Sequence, residues 1–338
     1  MSHAKTKLGL AIAAIFGATT MAQAVDYSIS GHVNQMVRYV DDSNTDETDT
    51  QFVDNGTNAS RVSLTAGGEF AGMDVEVFTQ FRWNANNSAT TIPGSSSSSG
   101  GSLDTAYLDI AFKHELGTFS LGRGDGAARF TQRQDLSGTE LADNFDPRRW
   151  ATGDADRVGF QGSRADRVRY DAPSILGTNL SVSADSDGTT EVGLTWDSEA
   201  EAYSEYMDGL RWIGAVGYSN VKEDGFSFLE VDDRIAASVS ALVGGTSLTV
   251  GYGEESYENS GVSDTDGTYV KLGQRFDNHA VSISLATTDD GSDEDDIYSV
   301  GYQYNGEGGV DVYAAYSMLD EDNGEDVDQF IVGTRVRF

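Results

Sequence analysis

The sequence predicts an all-β protein, specifically a 16-stranded antiparallel transmembrane β-barrel whose third loop folds inward. Three observations predict this fold. After Val25, apolar and polar residues alternate in runs of about 8 to 13 positions, which is the period of a strand with two unlike faces. Short and long connections alternate between these runs. No apolar stretch reaches the roughly 18 to 20 residues that a transmembrane helix needs.

The beginning of the chain predicts a secretory signal peptide that is cleaved after Ala24. Lys5 and Lys7 precede a short apolar run at 8–18, and an A-x-A pattern follows it. The predicted organisation is therefore a signal peptide at 1–24 and one β-barrel at 25–338. The chain contains no cysteine, which excludes disulfides, cysteine-based zinc sites and thiol catalysis.

The overall charge limits the classes of partner. The formal charge is −33, and it becomes −35 once Lys5 and Lys7 leave with the signal peptide. Phosphates would be repelled, so nucleic acid is excluded as a partner. The 15 Tyr and 15 Phe argue against disorder. The acidity is equally consistent with adaptation to a saline habitat.

Sixteen alternating runs are predicted as strands. The clearest spans Arg234 to Val243, where Ile235, Val239 and alternate neighbours share one face. The predicted strands are 25–40, 58–70, 73–84, 103–115, 117–124, 164–171, 178–187, 189–198, 208–221, 232–243, 247–257, 266–277, 280–290, 295–305, 309–319 and 326–338.

The connections predict an up-and-down order. Tight links such as Ala71-Gly72 and Gly244-Gly245 alternate with longer ones such as 41–57 and 125–163, and the alternation weakens only around 185–208. An even number of strands places both termini at the short-turn end. One strand face is apolar and the other is too polar and glycine-rich to form a core, which favours a barrel with a wet lumen over a soluble sandwich. Charged residues lie within strands, namely Arg38, Arg61, Arg82, Asp109, Lys271, Arg275, Arg335 and Arg337.

The last nine residues, Phe330 to Phe338, alternate apolar and polar side chains and finish on an aromatic ring. This ending resembles the closing strand of outer-membrane porins, whose terminal phenylalanine is recognised by the barrel-assembly machinery. The resemblance extends to 25–31, 121–123 and 164–173, so the chain is similar to the general trimeric porins of Gram-negative bacteria along its mature length.

This resemblance implies an outer-membrane homotrimer through which small hydrophilic solutes diffuse, without a cofactor or a metal. It also implies contact with outer-membrane lipid and lipopolysaccharide, bridged by divalent cations. The family's third loop forms a constriction that is acidic on the loop and basic on the facing wall, and here that loop is 125–163. The implied loop acids are Asp135, Glu140, Asp143 and Asp146. The implied wall bases are Arg38, Arg61, Arg82 and Arg123, and strand alternation adds Arg167 and Arg169.

The charge cluster from 123 to 169 holds nine of the 20 Lys and Arg of the mature chain. Its arginines are predicted to line a pore, and the alternative is that they pair with nearby carboxylates and stiffen the wall. Arg123 shares the face of Leu121 unless a bulge occurs at Gly122. Net acidity favours weak cation selectivity.

Other functions are less consistent with the sequence. The acidic runs at 289–296 and 320–326 lack EF-hand spacing and are expected to be solvated loops. Three scattered histidines remain after cleavage and no G-x-S-x-G motif occurs, so the protein is not predicted to be an enzyme. The alternatives are a surface structural or adhesive barrel with little conductance, and an exported β-rich hydrolase.

Overall fold

A computed structural model describes residues 25–43, 47–70, 72–83, 103–129, 131, 134–143, 164–199, 209–222, 231–258, 261, 263–321 and 326–338. These residues form strands almost throughout. The strands are β1 (Asp26–Asp42), β2 (Glu47–Asp54), β3 (Arg61–Phe70), β4 (Met73–Trp83), β5 (Leu103–His114), β6 (Gly117–Asp125), β7 (Arg164–Asp171), β8 (Thr178–Asp185), β9 (Thr190–Asp197), β10 (Leu210–Asn220), β11 (Val231–Val243), β12 (Thr246–Tyr257), β13 (Thr265–Phe276), β14 (His279–Asp289), β15 (Glu294–Asn305), β16 (Val310–Glu321) and β17 (Val327–Arg337).

Among the described residues, two short helical segments accompany the strands. A 3₁₀ turn spans Gly56–Asn58, and one α-helix, α1, spans Glu140–Asp143. Within the described ranges, no helix is long and apolar enough to cross a membrane.

The sheet closes on itself. From β3 to β17, each strand pairs antiparallel with the next, and β17 pairs antiparallel with β1 from His32↔Arg337 to Asp42↔Val327. The other edge of β1 pairs with β3 along its first half and with β2 along its second half. The result is a closed 16-stranded antiparallel barrel with one extra strand, β2.

The predicted strands agree closely with the structure. Each of the sixteen corresponds to an observed strand, and the two differ by at most three residues at either end. The regular alternation of short and long links is also weakened in the structure around 185–208. There, β8 and β9 are joined by a short link at 186–189, and β9 and β10 are joined by a longer one at 198–209.

The extra strand β2 was not predicted. Its sequence, ETDTQFVD, lies in the link predicted at 41–57, and Phe52 and Val53 are its only large apolar residues. A strand of this composition is stabilised by pairing with β1 and not by an apolar face of its own, so periodicity alone does not reveal it.

The two faces of the barrel differ in polarity. On β14, Val281, Ile283 and Leu285 are exposed outward, whereas Ser282 between them is buried on the inner face. The same alternation on β12 exposes Leu248 and Val250, and it recurs on most strands. A barrel that is apolar outside and polar inside is the arrangement required in a bilayer, because lipid solvates the outer side chains and the closed ladder satisfies the backbone.

The outer face allows a first prediction. Ile283→Arg places a charge in the middle of β14 on the apolar face, where Ile283 is 56% exposed. We expect it to lower the free energy of unfolding in lipid by roughly 2–4 kcal/mol. Urea titration of protein folded into vesicles measures this change. Ile283→Leu is the matched control, and an equal stability of the two variants would contradict a lipid-facing position.

Candidate functional site

The first part of the third loop forms hydrogen bonds with side chains of the strands. The described residues 126–129, 131 and 134–143 contact side chains of β8 to β15, all on the face opposite the exposed apolar residues. The hydrogen bonds are Ala127 N to Ser183 Oγ at 2.9 Å, Gln134 N to Ser238 Oγ at 2.9 Å, Leu136 N to Ser240 Oγ at 3.1 Å, Thr139 Oγ1 with Ser282 Oγ at 2.8 Å and Leu141 N to Gln303 Oε1 at 3.0 Å.

Glycines on the wall permit this close approach. A Cβ at Gly193 would lie 2.0 Å from Ala127 O, and one at Gly217 would lie 2.6 Å from Thr131 Oγ1. A Cβ at Gly273 would lie 2.6 Å from Ser137 Cβ. Because real Cβ atoms do not approach so closely, only glycine fits at these positions while the loop stays in contact with the wall. We call Gly193, Gly217 and Gly273 the glycine track.

A buried ion pair fixes the middle of the loop. Lys271 Nζ lies 2.8 Å from Asp135 Oδ2, and the Lys271 side chain is 2% exposed. Ser137 N and Thr249 Oγ1 donate to the other carboxylate oxygen. Burial opposes ionisation of Asp135, but Lys271 and the hydrogen bonds from Ser137 outweigh it and hold the pKa of that carboxyl below its usual range. The stabilisation is therefore present above the carboxyl's unfolded pKa and is lost only as the pH falls through the lower folded value.

Glu140 is the loop acid with the most exposed side chain among those described. It begins α1, its side chain is 64% exposed, and Oε1 lies 3.5 Å from Arg335 Nη1. Arg335 also pairs with the fully buried Asp311 at 2.8 Å. Asp143 ends α1, and Asp146 lies outside the described residues. Glu140 is thus a loop carboxylate that faces water, whereas Asp135 is neutralised by Lys271.

Four arginines form a basic cluster, which we define as Arg61, Arg82, Arg129 and Arg164. Arg61 and Arg82 are directly opposite in the β3–β4 ladder, an arrangement that is repulsive. Arg61 is also within electrostatic reach of Arg164, and Arg129 of Arg82 and Arg164.

Two carboxylates offset part of this positive charge. Asp104 pairs with Arg82 at 2.9 Å, and Asp125 pairs with Arg129 at 2.8 Å and with Arg164 at 3.3 Å. Tyr107 donates to Asp125 at 2.6 Å. Arg61 donates to the carbonyl of Ala59, and it forms no ion pair with any described residue. The cluster therefore retains net positive charge.

Two other predicted wall bases lie apart from this cluster. Arg38 is fully buried on β1, where it donates to Gln51. Arg123 donates to the carbonyl of Thr105 and lines a cleft of about 400 Å³ together with Arg164 and Lys222. Gly122 pairs in continuous register with Asp109, without a bulge, so Arg123 keeps the alternation of Leu121.

Arg167 and Arg169 both engage carboxylates of the wall. Arg167 forms a two-pronged contact with Asp109 at 2.8 and 2.9 Å, and its side chain is 5% exposed. Arg169 pairs with Asp171 at 2.7 Å and donates to the carbonyl of Gly126 at 2.9 Å. Arg167 thus joins β7 to β5 on the far side of β6, and Arg169 joins β7 to the start of the loop.

The sequence matches a model of the Gram-negative porin family over residues 9–324. The chain belongs to the Gram-negative porin family. It is an outer-membrane β-barrel, and its family and fold are those of channels. No curated protein matches the sequence.

Solved outer-membrane proteins share the fold at low sequence identity. An anion-selective porin from Comamonas acidovorans superposes with a TM-score of 0.67 at 14% identity, over 93% of this chain and 100% of that one. The trimer form of OmpT from Vibrio cholerae gives 0.62 at 13%, over 93% and 100%. Salmonella typhi OmpF in complex with daunomycin gives 0.59 at 17%, over 92% and 97%.

Sequence reasoning missed some residues that organise this porin's inner face. Lys271 and Arg335 were placed on strands but not at the site, although alternation with Val270 and Leu272 puts Lys271 on the inner face. The glycine track was missed because a glycine within a strand was interpreted only as weakening that strand. A usable signal was that Gly193, Gly217 and Gly273 all occupy inner-face positions.

The glycine track provides a second prediction. Gly217→Val places side-chain atoms where Thr131 and Ala128 now lie, so the loop must move toward the centre of the barrel. We expect a lower single-channel conductance than that of the unchanged protein, measured in planar bilayers.

Gly214→Val is the matched control. Gly214 lies on the same strand on the outer face, where a Cβ would meet nothing closer than 3.5 Å. Equal conductance of the Gly217 and Gly214 variants would contradict the proposed loop displacement.

Proposed function

We propose that this porin is a passive diffusion channel for small hydrophilic solutes and ions, with a charged constriction and a weak preference for cations. The observation that carries the proposal is the bonding of residues 126–143 to the inner face of one half of the wall. A loop in this position narrows the water-filled space, and Arg61, Arg82 and Arg164 of the basic cluster lie on the remaining wall. Charges arranged in this way act directly on permeating ions.

The cation preference rests on the balance of paired and unpaired charge. Most inner-face bases are neutralised locally by carboxylates, through the pairs Arg82–Asp104, Arg164–Asp125, Arg167–Asp109, Arg169–Asp171, Arg234–Glu255, Lys271–Asp135 and Arg335–Asp311. The formal charge of the full chain is −33, so the strong acidic excess concentrates cations at the channel mouths. Arg61 and its neighbours oppose this effect at the constriction, which makes the expected preference weak. Because the fold is also similar to that of an anion-selective porin, a preference for anions is the opposite outcome of the selectivity measurement.

The assembly is proposed to be a homotrimer, which the trimer form of the Vibrio cholerae OmpT supports. Phe338 is 63% exposed at the end of the closing strand, where the assembly machinery could recognise it. Lipopolysaccharide bridged by divalent cations is proposed to surround the long-loop end.

Selectivity provides a third prediction. A unit charge about 8 Å from a permeating ion is worth roughly 0.5 kcal/mol in water, or about a factor of two for one ion. Cations and anions respond oppositely, so we expect Arg61→Gln to raise the cation-to-anion permeability ratio about two- to fivefold. Glu140→Gln should lower it by a similar factor. Reversal potentials in a tenfold salt gradient measure both changes.

Two controls isolate the position of the charge. Arg61→Lys keeps the positive charge and should keep the ratio, and Glu307→Gln removes an exposed carboxylate from the turn between β15 and β16. A trimer that carries no current would overturn the channel itself. A ratio below one for the unchanged protein, rising above one in Arg61→Gln, would overturn only the cation preference.

A further inference from the structure

Strands β2 and β3 pair one after the other with the same edge of β1. The chain between them contains an insertion that turns toward the third loop. On β1, Gln35 pairs with Asp54 and His32 pairs with Arg61. The two residues of β1 between these pairs, 33 and 34, therefore face six residues on the opposite side, 55–60, so the chain has four extra residues between β2 and β3. These residues lie within the segment 55–60, which contains the 3₁₀ turn.

The inserted segment is buried and internally bonded. Asn55, Ala59 and Ser60 are each less than 5% exposed, as is Asp54 before them. Ser60 N donates to both carboxylate oxygens of Asp54 at 2.9 and 3.1 Å, and Asn34 N donates to Ser60 Oγ at 2.8 Å. The segment is thus held against β1 in one conformation.

One side chain of the inserted segment reaches α1 of the third loop. Asn55 Nδ2 donates to the carbonyl of Leu141 at 3.2 Å and to the hydroxyl of Tyr313 at 3.1 Å. Tyr313 in turn donates to Asn34 Oδ1 at 2.7 Å. Tyr313 is fully buried, and its ring lies over Gly333, where an added Cβ would be 2.2 Å from Tyr313 Cζ. We call Asn34, Asn55 and Tyr313 the clamp.

An apolar cluster surrounds the clamp. Leu141 and Ala142 of α1 are at most 1% exposed and belong to this cluster. The other members come from β1, β2, β16 and β17, and they are Met36, Val53, Tyr313, Ala315 and Ile331. These side chains interrupt a largely polar inner face, as does a second buried cluster on β1, β15, β16 and β17, formed by Val40, Ile297, Leu319 and Val327. Apolar surface in a water-filled lumen is unfavourable unless it is covered, and α1 covers it.

We propose that the clamp and this apolar cluster form a second inner-face element that holds α1 of the third loop against the wall. Asn55 and Tyr313 are positioning residues, because they act on α1 and not on a solute. Release of α1 would move Glu140 and enlarge the space in which the loop fluctuates. The consequence for permeation rests on the proposed channel function, whereas the position of α1 does not.

A cysteine reporter tests the clamp independently of conduction. The chain has no cysteine, and Ala142 is fully buried in α1. In Ala142→Cys trimers, the rate of reaction with a small cationic methanethiosulfonate reports how often α1 leaves the wall. We expect Asn55→Ala to raise this rate about tenfold, the change expected when a buried amide that donates hydrogen bonds to Leu141 and Tyr313 is removed. Tyr313→Phe, which keeps the ring, should also raise it severalfold.

Asn220→Ala is the matched control, because Asn220 bonds Asp233 of the neighbouring strand and should leave the rate unchanged. Heat-modifiable migration on a gel verifies that each variant is folded. The proposal would be overturned if neither Asn55→Ala nor Tyr313→Phe changed the labelling rate of the Ala142→Cys reporter. In bilayers, both variants should increase open-channel current noise. If the unchanged protein carries no current, the channel function fails, and the labelling rates alone decide the clamp.

Discussion

The pairing of β1 with β17 is the interaction on which the rest of the barrel depends. It removes both edges of the 16-stranded barrel, so each of its strands has a neighbour on each side and backbone groups within the bilayer are satisfied by the ladder. Closure also separates the side chains into an outer set and an inner set. The outer set is solvated by lipid and requires apolar residues. The inner set is free to become small, polar or charged, and the features of the site follow from that freedom.

The inner face uses this freedom in two ways. Over β8 to β15 it is largely small and hydroxylated, with the glycine track at its closest contacts, and the loop lies on it through backbone hydrogen bonds. Around β3 to β7 it carries several arginines. The half beneath the loop also holds basic side chains, but Lys271 there is buried and paired with Asp135 of the loop. Small residues therefore leave space for the loop on one half of the wall, and Arg61, Arg82 and Arg164 lie on the other half.

Much of this architecture could be predicted from the sequence, because its determinants are local. Strand alternation such as that of Val281, Ile283 and Leu285 depends only on which residues face lipid, and sixteen strands were predicted from it. The same alternation placed Arg61, Arg82 and Arg167 on the inner face. Strand β2 was missed because it depends on pairing with β1. The Asp135–Lys271 pair joins residues that lie 136 positions apart, so no local pattern reveals it. Asp135 was predicted to be an acid of the constriction. Its partner on the wall, Lys271, was not predicted.

The central claim is that the wall-bound loop narrows the barrel. The most direct test is to measure the largest neutral solute that enters the channel. Poly(ethylene glycols) of increasing mass would be added to planar bilayers holding either the unchanged protein or a variant with the loop shortened between residues 126 and 163. The account predicts that the shortened protein admits distinctly larger polymers at the same trimer stability. An unchanged size limit would contradict it, because the loop would then not form the narrowest part of the path.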